Sequence, residues 1–134
     1  MSVEVYLEAD SRLTKPAVVA LLRKIGAVLV EDEELIAPND LELRAVLPTS
    51  RMFMYGKKTG RNRRICAEDP GDVKFEVEYR CAFTVNSSEH WRADLDTFAE
   101  AVANDTGAHF VVSWQFERTL MTNSESGLRR VVLD

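Results

Sequence analysis

"VKFEVEYRCAFTV", residues 73–85, carries the most regular pattern in the chain. Apolar or aromatic side chains occupy every second position, and most of the positions between them are charged or polar. This alternation is typical of a β-strand with one buried and one solvated face, as antiparallel sheets have. The pattern therefore predicts one long central strand, Val73 to Val85, whose core-facing side chains are Phe75, Val77, Tyr79, Cys81 and Phe83.

Two amphipathic helices are predicted, one before and one after this strand. In "LTKPAVVALLRKIGA", residues 13–27, Thr14 is a suitable N-cap and Gly26 a suitable C-terminal stop. In "SSEHWRADLDTFAEAVANDTG", residues 87–107, apolar side chains recur at helical spacing from Trp91 to Val102, and Gly107 ends the pattern.

The remaining apolar segments are short and read as strands. They are "SVEVYLEA" (2–9), "AVLVED" (27–32), "LELRAVLP" (41–48), "RMFMYG" (51–56), "AHFVVSWQFE" (108–117) and "LRRVVL" (128–133), the last two separated by a polar turn, "TNSESG". Mostly consecutive strands with two helices favour an α+β domain spanning residues 1–134. We expect an antiparallel-rich sheet with both helices on one face, in a ferredoxin-like split β-α-β arrangement. Glu76, Glu78 and Arg80 would then project from the other face.

Composition limits the classes of function. The 134 residues are 46% hydrophobic and 29% charged, as expected of a soluble globular protein, and the net charge is −5. A pI near 5.1 argues against a dedicated nucleic-acid binder and suggests a basic partner. The sequence shows neither a secretory signal nor a membrane span, and its two cysteines form no disulfide framework. We therefore expect a cytoplasmic protein with reduced thiols.

The basic stretch "GKKTGRNRR", residues 56–64, has two possible interpretations. It lacks the first glycine and the following helix of a phosphate-binding Walker loop. Its cations follow Phe53 and Tyr55, which could stack nucleic-acid bases. The competing interpretation, which we prefer, is a solvated hairpin tip, because acidic runs lie on both sides. The cations concerned are Lys57, Lys58, Arg61, Arg63 and Arg64.

No catalytic, metal or cofactor site is expected. His90 and His109, the only histidines, have no second ligand at helical spacing. Cys81 falls on the core face of its predicted strand, and Cys66 has no histidine beside it in sequence to complete a nucleophile pair. The sequence therefore favours a binding protein over an enzyme.

The densest acidic segment is the first candidate for a partner-binding surface. Carboxylates at alternate positions of a strand would point the same way and could steer a cationic partner towards the protein. A charged edge that prevents strand-to-strand aggregation is the competing interpretation. The residues are Glu31, Asp32, Glu33, Glu34, Asp40 and Glu42.

The C-terminal run "FVVSWQFERTLMTNSESGLRRV", residues 110–131, resembles the closing hairpin of small immunity proteins from bacterial contact-dependent and type VI toxin systems. An aromatic-rich strand ends in Gln-Phe-Glu, and a polar turn leads to Gly-Leu-Arg. The resemblance implies a small, acidic, cytoplasmic, non-catalytic protein that blocks a cognate toxin by occluding its active site. It assigns no binding residue.

Overall fold

The computed structural model describes residues 3–29, 42–60 and 62–131. Two helices lie in these ranges, α1 (Lys15–Ile25) and α2 (Trp91–Thr106). The strands are β1 (Val3–Ala9), β2 (Val28–Leu29), β3 (Glu42–Val46), β4 (Phe53–Lys58), β5 (Tyr79–Val85), β6 (Phe110–Trp114), β7 (Arg118–Ser124) and β8 (Gly127–Arg130).

All eight strands form one sheet, in the order β2-β3-β4-β5-β1-β6-β7-β8, and every neighbouring pair is antiparallel. β1 lies between β5 and β6, so that Val5 is paired with both Phe83 and Trp114. The predicted α+β class and antiparallel sheet are confirmed. The ferredoxin-like split β-α-β arrangement stays a prediction.

Both helices begin and end close to where local signals predict. The Thr14 hydroxyl accepts a hydrogen bond from the Ala17 N–H at 3.3 Å, which satisfies one free donor of the first turn of α1. Gly26 and Gly107 end the two helices in the left-handed conformation, which glycine adopts without steric cost.

The main core lies between the helices and one face of the sheet. It includes Leu7 of β1, Phe83 of β5 and Phe98 of α2, none of which has exposed surface. The Phe83 and Phe98 rings meet edge to face, with centroids 5.2 Å apart. Lys24 of α1 binds Asp105 of α2 at 3.0 Å. Both helices therefore cover the same face, and we call the opposite one the open face.

The predicted central strand is shorter than its sequence pattern. Tyr79, Cys81 and Phe83 face the helices as predicted, but β5 begins only at Tyr79. Residues 73–78 are not strand, and Phe75 packs with Val73 and Val111 in a second apolar cluster rather than in the main core. The reason is the absence of a partner, because β1 and β4 end opposite Tyr79. The alternation of apolar and polar residues extends back to Val73, whereas strand pairing begins only at Tyr79.

The basic stretch is not a hairpin tip. Gly56, Lys57 and Lys58 lie within β4; Gly56 and Lys57 are paired with both β3 and β5, and Lys58 is paired with β5. A Cβ atom at position 56 would lie 2.7 Å from the Tyr79 hydroxyl, so glycine is required there by close packing. The described residues between 59 and 78, which we call the crossing segment, connect β4 to β5 across the open face.

The C-terminal region contains a strand that the sequence pattern does not predict. β7 runs from Arg118 to Ser124, so part of the predicted polar turn is strand. Pairing between β6 and β7 shifts register at Val112/Ser113, and the successive residues Leu120 and Met121 are both buried in the main core. This irregularity removes the period-two pattern by which a strand is recognised.

Candidate functional site

The acidic candidates lie almost entirely outside the described residues. Glu42, the first residue of β3, is the exception, and its carboxylate is 3.6 Å from the Lys57 ammonium on β4. This cross-strand ion pair offsets part of the negative charge that Glu42 would present. The candidates outside the described ranges are Glu31, Asp32, Glu33, Glu34 and Asp40.

The basic candidates do not form one cationic patch. Lys57 and Lys58 are neighbours in β4 and point to opposite faces of the sheet. Arg63 lies in the crossing segment, 3.0 Å from Glu78 and 3.6 Å from Glu76. Arg64 is exposed, and Arg61 lies outside the described residues. Carboxylates therefore accompany the cations that nucleic-acid binding would need.

The crossing segment is held on the open face by a buried carboxylate. Glu8 of β1 has no exposed surface, and it accepts hydrogen bonds from the backbone N–H of Cys66 at 2.8 Å and of Ala67 at 3.0 Å. Arg80 of β5 donates to the same carboxylate at 3.0 Å and to the carbonyl oxygen of Arg64 at 2.5 Å. Because the carboxylate has three donors around it, this arrangement is structural rather than catalytic.

The two histidines and the two cysteines lie in separate surroundings. His90 is exposed beside Glu89, and His109 is half-buried near Asp10. Burial raises the pKa of the Cys81 thiol well above its ordinary value, so this thiol is unreactive in the folded protein. No group of three or more residues suited to a metal ion occurs in the described ranges, and no helix there is long and apolar enough to cross a membrane.

A groove along β5 is the most distinctive feature of the open face. Ala82 and Thr84 form its floor, because both side chains are small, with Phe53 and Tyr55 of β4 as one wall and Glu4 of β1 on the other side. Neighbouring strands lie about 4.8 Å apart, so the walls are separated by about 9.6 Å. The volume is about 430 Å³. We call this the aromatic groove, lined by Glu4, Arg44, Phe53, Tyr55, Ala82 and Thr84.

Phe53 is the most exposed large apolar side chain of the described residues, at 63% of its surface. Its chain neighbours, Met52 just before β4 and Met54 within it, are almost fully buried in the main core and anchor this part of the strand. Transferring an aromatic side chain from water to an interface is favourable by a few kcal/mol, roughly 1.5–3. The favourable free energy of removing the Phe53 side chain from water is therefore available only when another molecule covers it.

Charged and phenolic groups surround the aromatic groove. Partial burial, together with Glu42, raises the pKa of the Tyr55 hydroxyl to about 12. Burial and the neighbouring Glu4 carboxylate likewise raise the pKa of Tyr6. The Arg44 guanidinium lies over the Tyr55 ring, 6.0 Å from its centroid. At neutral pH the phenols are therefore hydrogen-bond donors, and the groove presents one charge of each sign.

Phe116 extends the aromatic surface beyond β1. Its ring stacks on Tyr6 with centroids 3.8 Å apart and planes inclined by 6°. Phe116 and Gln115 both have positive φ, and the Glu117 N–H donates to the Trp114 carbonyl at 2.9 Å. These features are those of a type I′ turn, which favours Asn-Gly over Gln-Phe. The fold tolerates an unfavourable backbone that brings Phe116 onto the open face.

Comparisons with protein families, curated proteins and solved structures gave no match. Sequence reasoning had identified Phe53 and Tyr55 as possible stacking residues but had missed Tyr6, Phe116 and Glu4. The alternation of Phe53, Tyr55 and Lys57 with buried residues was a usable signal, since it puts all three on one face of β4. The position of Phe116 depends on turn geometry and on long-range pairing, and no local pattern indicates it.

Proposed function

We propose that the protein is an immunity protein that binds a cognate bacterial toxin domain and neutralises it by occluding its active site. The observation that carries this proposal is the exposure of Phe53 on the wall of the aromatic groove, on a regular, doubly paired strand. Large aromatic side chains on a rigid support are the residues that most often dominate the free energy of protein–protein association.

The charges favour a protein partner over nucleic acid. Lys57, Arg63 and Arg80 each have a carboxylate partner, which reduces the positive charge that the open face near the groove could offer to phosphates. The net charge of −5 would also repel a polyanion. The resemblance of the C-terminal hairpin to immunity proteins supplies the kind of protein partner, and it implies action in the cytoplasm.

We also propose that the fold is built on a ferredoxin-like core, formed by β4, β5, β1 and β6 with the two helices. Its support is the order of these strands and the connection of β5 to β6 by α2, with β1 between them. In this arrangement β2, β3, β7 and β8 extend the sheet at its two edges. The aromatic groove lies on the face of the core that the helices leave open.

Inhibition by occlusion requires binding but no chemistry. A toxin side chain or loop would enter the groove between Phe53 and Glu4, while the Tyr55 hydroxyl, which donates its proton to Glu42, would accept a hydrogen bond. Covering a surface of standard size, about 800 Å² on each partner, would then exclude substrate from the toxin. Affinity would come from the aromatic contacts, and orientation from Glu4 and Arg44, which carry opposite charges.

The test uses a toxin domain encoded beside the gene for this protein. The purified protein should abolish the toxin's activity at a one-to-one ratio, and co-expression should restore growth. Phe53→Ala should weaken the complex by at least about 30-fold, because a hot-spot aromatic contributes about 2 kcal/mol or more. Val131→Ala is the matched control, since Val131 is an exposed apolar residue that follows β8, at the edge of the sheet opposite to the β4 side. An active toxin in the presence of excess protein would exclude the proposal.

The acidic segment is the proposed steering surface. Changing Glu31, Asp32, Glu33 and Glu34 to Lys should slow association with the toxin and flatten its dependence on salt, while dissociation remains nearly unchanged. Stopped-flow measurements at several salt concentrations provide the readout. The same charge reversal of the basic candidates is the comparison, and it would identify them as the steering surface if it alone changed the association rate.

A second candidate function, binding of single-stranded nucleic acid, is favoured by one observation. Phe53 and Tyr55 lie side by side on an open sheet face, where bases could stack on them. Fluorescence anisotropy with labelled single-stranded DNA and RNA should show no appreciable binding at about 150 mM salt. Tight binding there, lost in Phe53→Ala, would replace the immunity proposal with this one.

A further inference from the structure

A second cleft, on the other side of the β6–β7 turn, contains both tryptophans of the chain. Trp91 is the first residue of α2 and Trp114 the last residue of β6, and their ring centroids are 5.7 Å apart at an interplanar angle of 50°. Leu120 of β7 completes the apolar lining, and the volume is about 490 Å³. We call this the tryptophan cleft.

The tryptophan cleft is rigid on its inner side and open on its outer side. Both indoles are half-buried and pack against the main core, so their rings are fixed before any ligand arrives. Binding to fixed aromatic rings costs little conformational entropy. The outer rim is polar and is formed by Arg92, Glu117 and Arg118.

The two arginines of this rim have no carboxylate partner among the described residues. In residues 3–29, 42–60 and 62–131, no acidic oxygen lies within ion-pair distance of Arg92 or Arg118, whereas Arg63 and Arg80 each bind a carboxylate. The Arg92 guanidinium lies over the Trp91 ring, 5.9 Å from its centroid, which holds the charge beside the apolar surface. With Glu117 included, the rim carries a net positive charge.

We propose that the tryptophan cleft binds an acidic segment of a protein partner, in which an apolar or aromatic side chain is followed or preceded by a carboxylate. The apolar group would lie on the indole faces of Trp91 and Trp114. The carboxylate would accept hydrogen bonds from Arg92 and Arg118, whose planar donors match it in geometry. The identification of the ligand as a protein segment rests on the proposed function. The preference for an apolar group beside a carboxylate follows from the cleft residues alone.

The cleft and the aromatic groove are joined through the backbone. The Gln115 N–H donates to the carbonyl oxygen of Glu4 at 2.9 Å, and Glu4 lines the groove while Trp114 lines the cleft. The cleft lies on the helix side of the sheet and the groove on the open face, so a partner that contacts both would extend around the β6–β7 turn. A toxin bound in this way would present a basic or apolar group to the groove and an acidic one to the cleft.

Because both tryptophans line the cleft, intrinsic fluorescence reports on it directly. Iodide should quench this fluorescence at least about threefold more effectively than caesium, since a positive rim concentrates the anion. In the double variant Arg92→Glu/Arg118→Glu this preference should reverse. The double variant Arg23→Glu/Lys58→Glu has the same change in net charge away from the cleft and should retain the preference for iodide. Equal quenching by the two ions in the wild-type protein would overturn the proposal.

The ligand class is tested with two short peptides, acetyl-Asp-Phe-Asp-amide and acetyl-Lys-Phe-Lys-amide. The acidic peptide should change the tryptophan emission with a dissociation constant of about 1 mM or lower, and Arg92→Glu/Arg118→Glu should weaken it at least about tenfold. Phe53→Ala should leave this binding unchanged. Equal binding of the basic peptide, or stronger binding of a single-stranded oligonucleotide, would overturn the proposal. If the acidic peptide binds while no toxin is neutralised, the proposed function fails and the cleft stands.

Discussion

Glu8 illustrates how one side chain can organise a segment distant in sequence. Its carboxylate is fully buried, yet three donors, two from the crossing segment and one from Arg80, replace the water it has lost. Burying a charge is costly unless it is paired and hydrogen-bonded, so the arrangement depends on every partner being present. Glu8 is thus one of the residues that attach the connection between β4 and β5 to the sheet, together with Arg80 and the apolar contacts of Val73 with Val111.

Glu8→Gln should lower the free energy of unfolding by about 1.5–3 kcal/mol, because it weakens the hydrogen bonds to a charged carboxylate and removes the counter-ion of the half-buried Arg80 guanidinium. The crossing segment should also loosen, so that the Cys66 thiol reacts faster with a modifying reagent. Urea denaturation and thiol-labelling rates are the measurements. Glu76→Gln is the control, since the Glu76 side chain is 77% exposed and the change should fall within about 0.5 kcal/mol.

Phe83→Ala should cost about 3–5 kcal/mol, mostly through the cavity left between β5 and α2. Phe83 has no exposed surface, and its ring meets that of Phe98. Phe53→Ala removes an equal volume from an exposed position and should cost much less. Comparing the two denaturation midpoints separates burial from residue type, and similar losses for both variants would contradict the assignment of faces.

At the scale of elements, the β6–β7 turn combines an unfavourable backbone with a favourable contact. Gln115 and Phe116 occupy the left-handed region, at φ of 51° and 64°, which side-chain-bearing residues rarely adopt. In return Phe116 stacks on Tyr6, and the turn separates the aromatic groove from the tryptophan cleft. The contact of Phe116 with Tyr6 therefore offsets part of the backbone strain at this turn.

Gln115→Gly should raise the free energy of unfolding by about 0.5–1 kcal/mol, since glycine relieves the left-handed strain but gains freedom in the unfolded chain. Thermal melting provides the measurement. Glu125→Gly, in the next turn, lacks a positive φ to relieve and should be neutral or destabilising. A stabilised Glu125→Gly with an unchanged Gln115→Gly would mean that the strain is not at Gln115.

Local and long-range interactions explain what the sequence could predict of this architecture. Thr14, Gly26 and Gly107 are capping signals that act within a few residues, and the helices begin or end beside them. The extent of β5 depends on partners elsewhere in the chain, which the alternation from Val73 onward does not contain. β7 escaped prediction because the register shift buries both Leu120 and Met121.

The candidate site shows the same difference between residues that local patterns indicate and contacts that depend on long-range pairing. Phe53 and Tyr55 were recognisable as an alternating pair on one strand, whereas Glu4 and Tyr6 reach them only through the pairing of β1 with β5. Trp91 and Trp114 are predicted separately, one on a helical stripe and one on a strand. Their meeting in one cleft depends on tertiary packing.

At the scale of the whole molecule, the three tyrosines report on the fold together. Burial raises the pKa of Tyr6, Tyr55 and Tyr79 above the ordinary value of 10.0, with that of Tyr55 at about 12. The folded protein therefore holds phenolic protons more tightly than the unfolded chain. This contribution to stability is complete below pH 10 and is lost as the pH rises towards 12.

Near-ultraviolet absorbance should accordingly show little tyrosinate at pH 10 in the folded protein. Above that pH, ionisation should accompany unfolding, which circular dichroism detects in parallel. In Tyr55→Phe the alkaline limb of stability should become shallower, because one shifted group is removed. A titration of all three tyrosines near pH 10 without unfolding would contradict their placement.

The central position of β1 also has a consequence for the time course of folding. Its neighbours are β5 and β6, so Val3 must find Val85 and Ala9 must find both Tyr79 and Phe110. Pairings this distant along the chain imply a high contact order, for which folding times of milliseconds to seconds are typical. During that interval both edges of β1 are available for pairing with other chains. Glu4 and Glu8 make such pairing unfavourable, and so they protect the chain from aggregation while it folds.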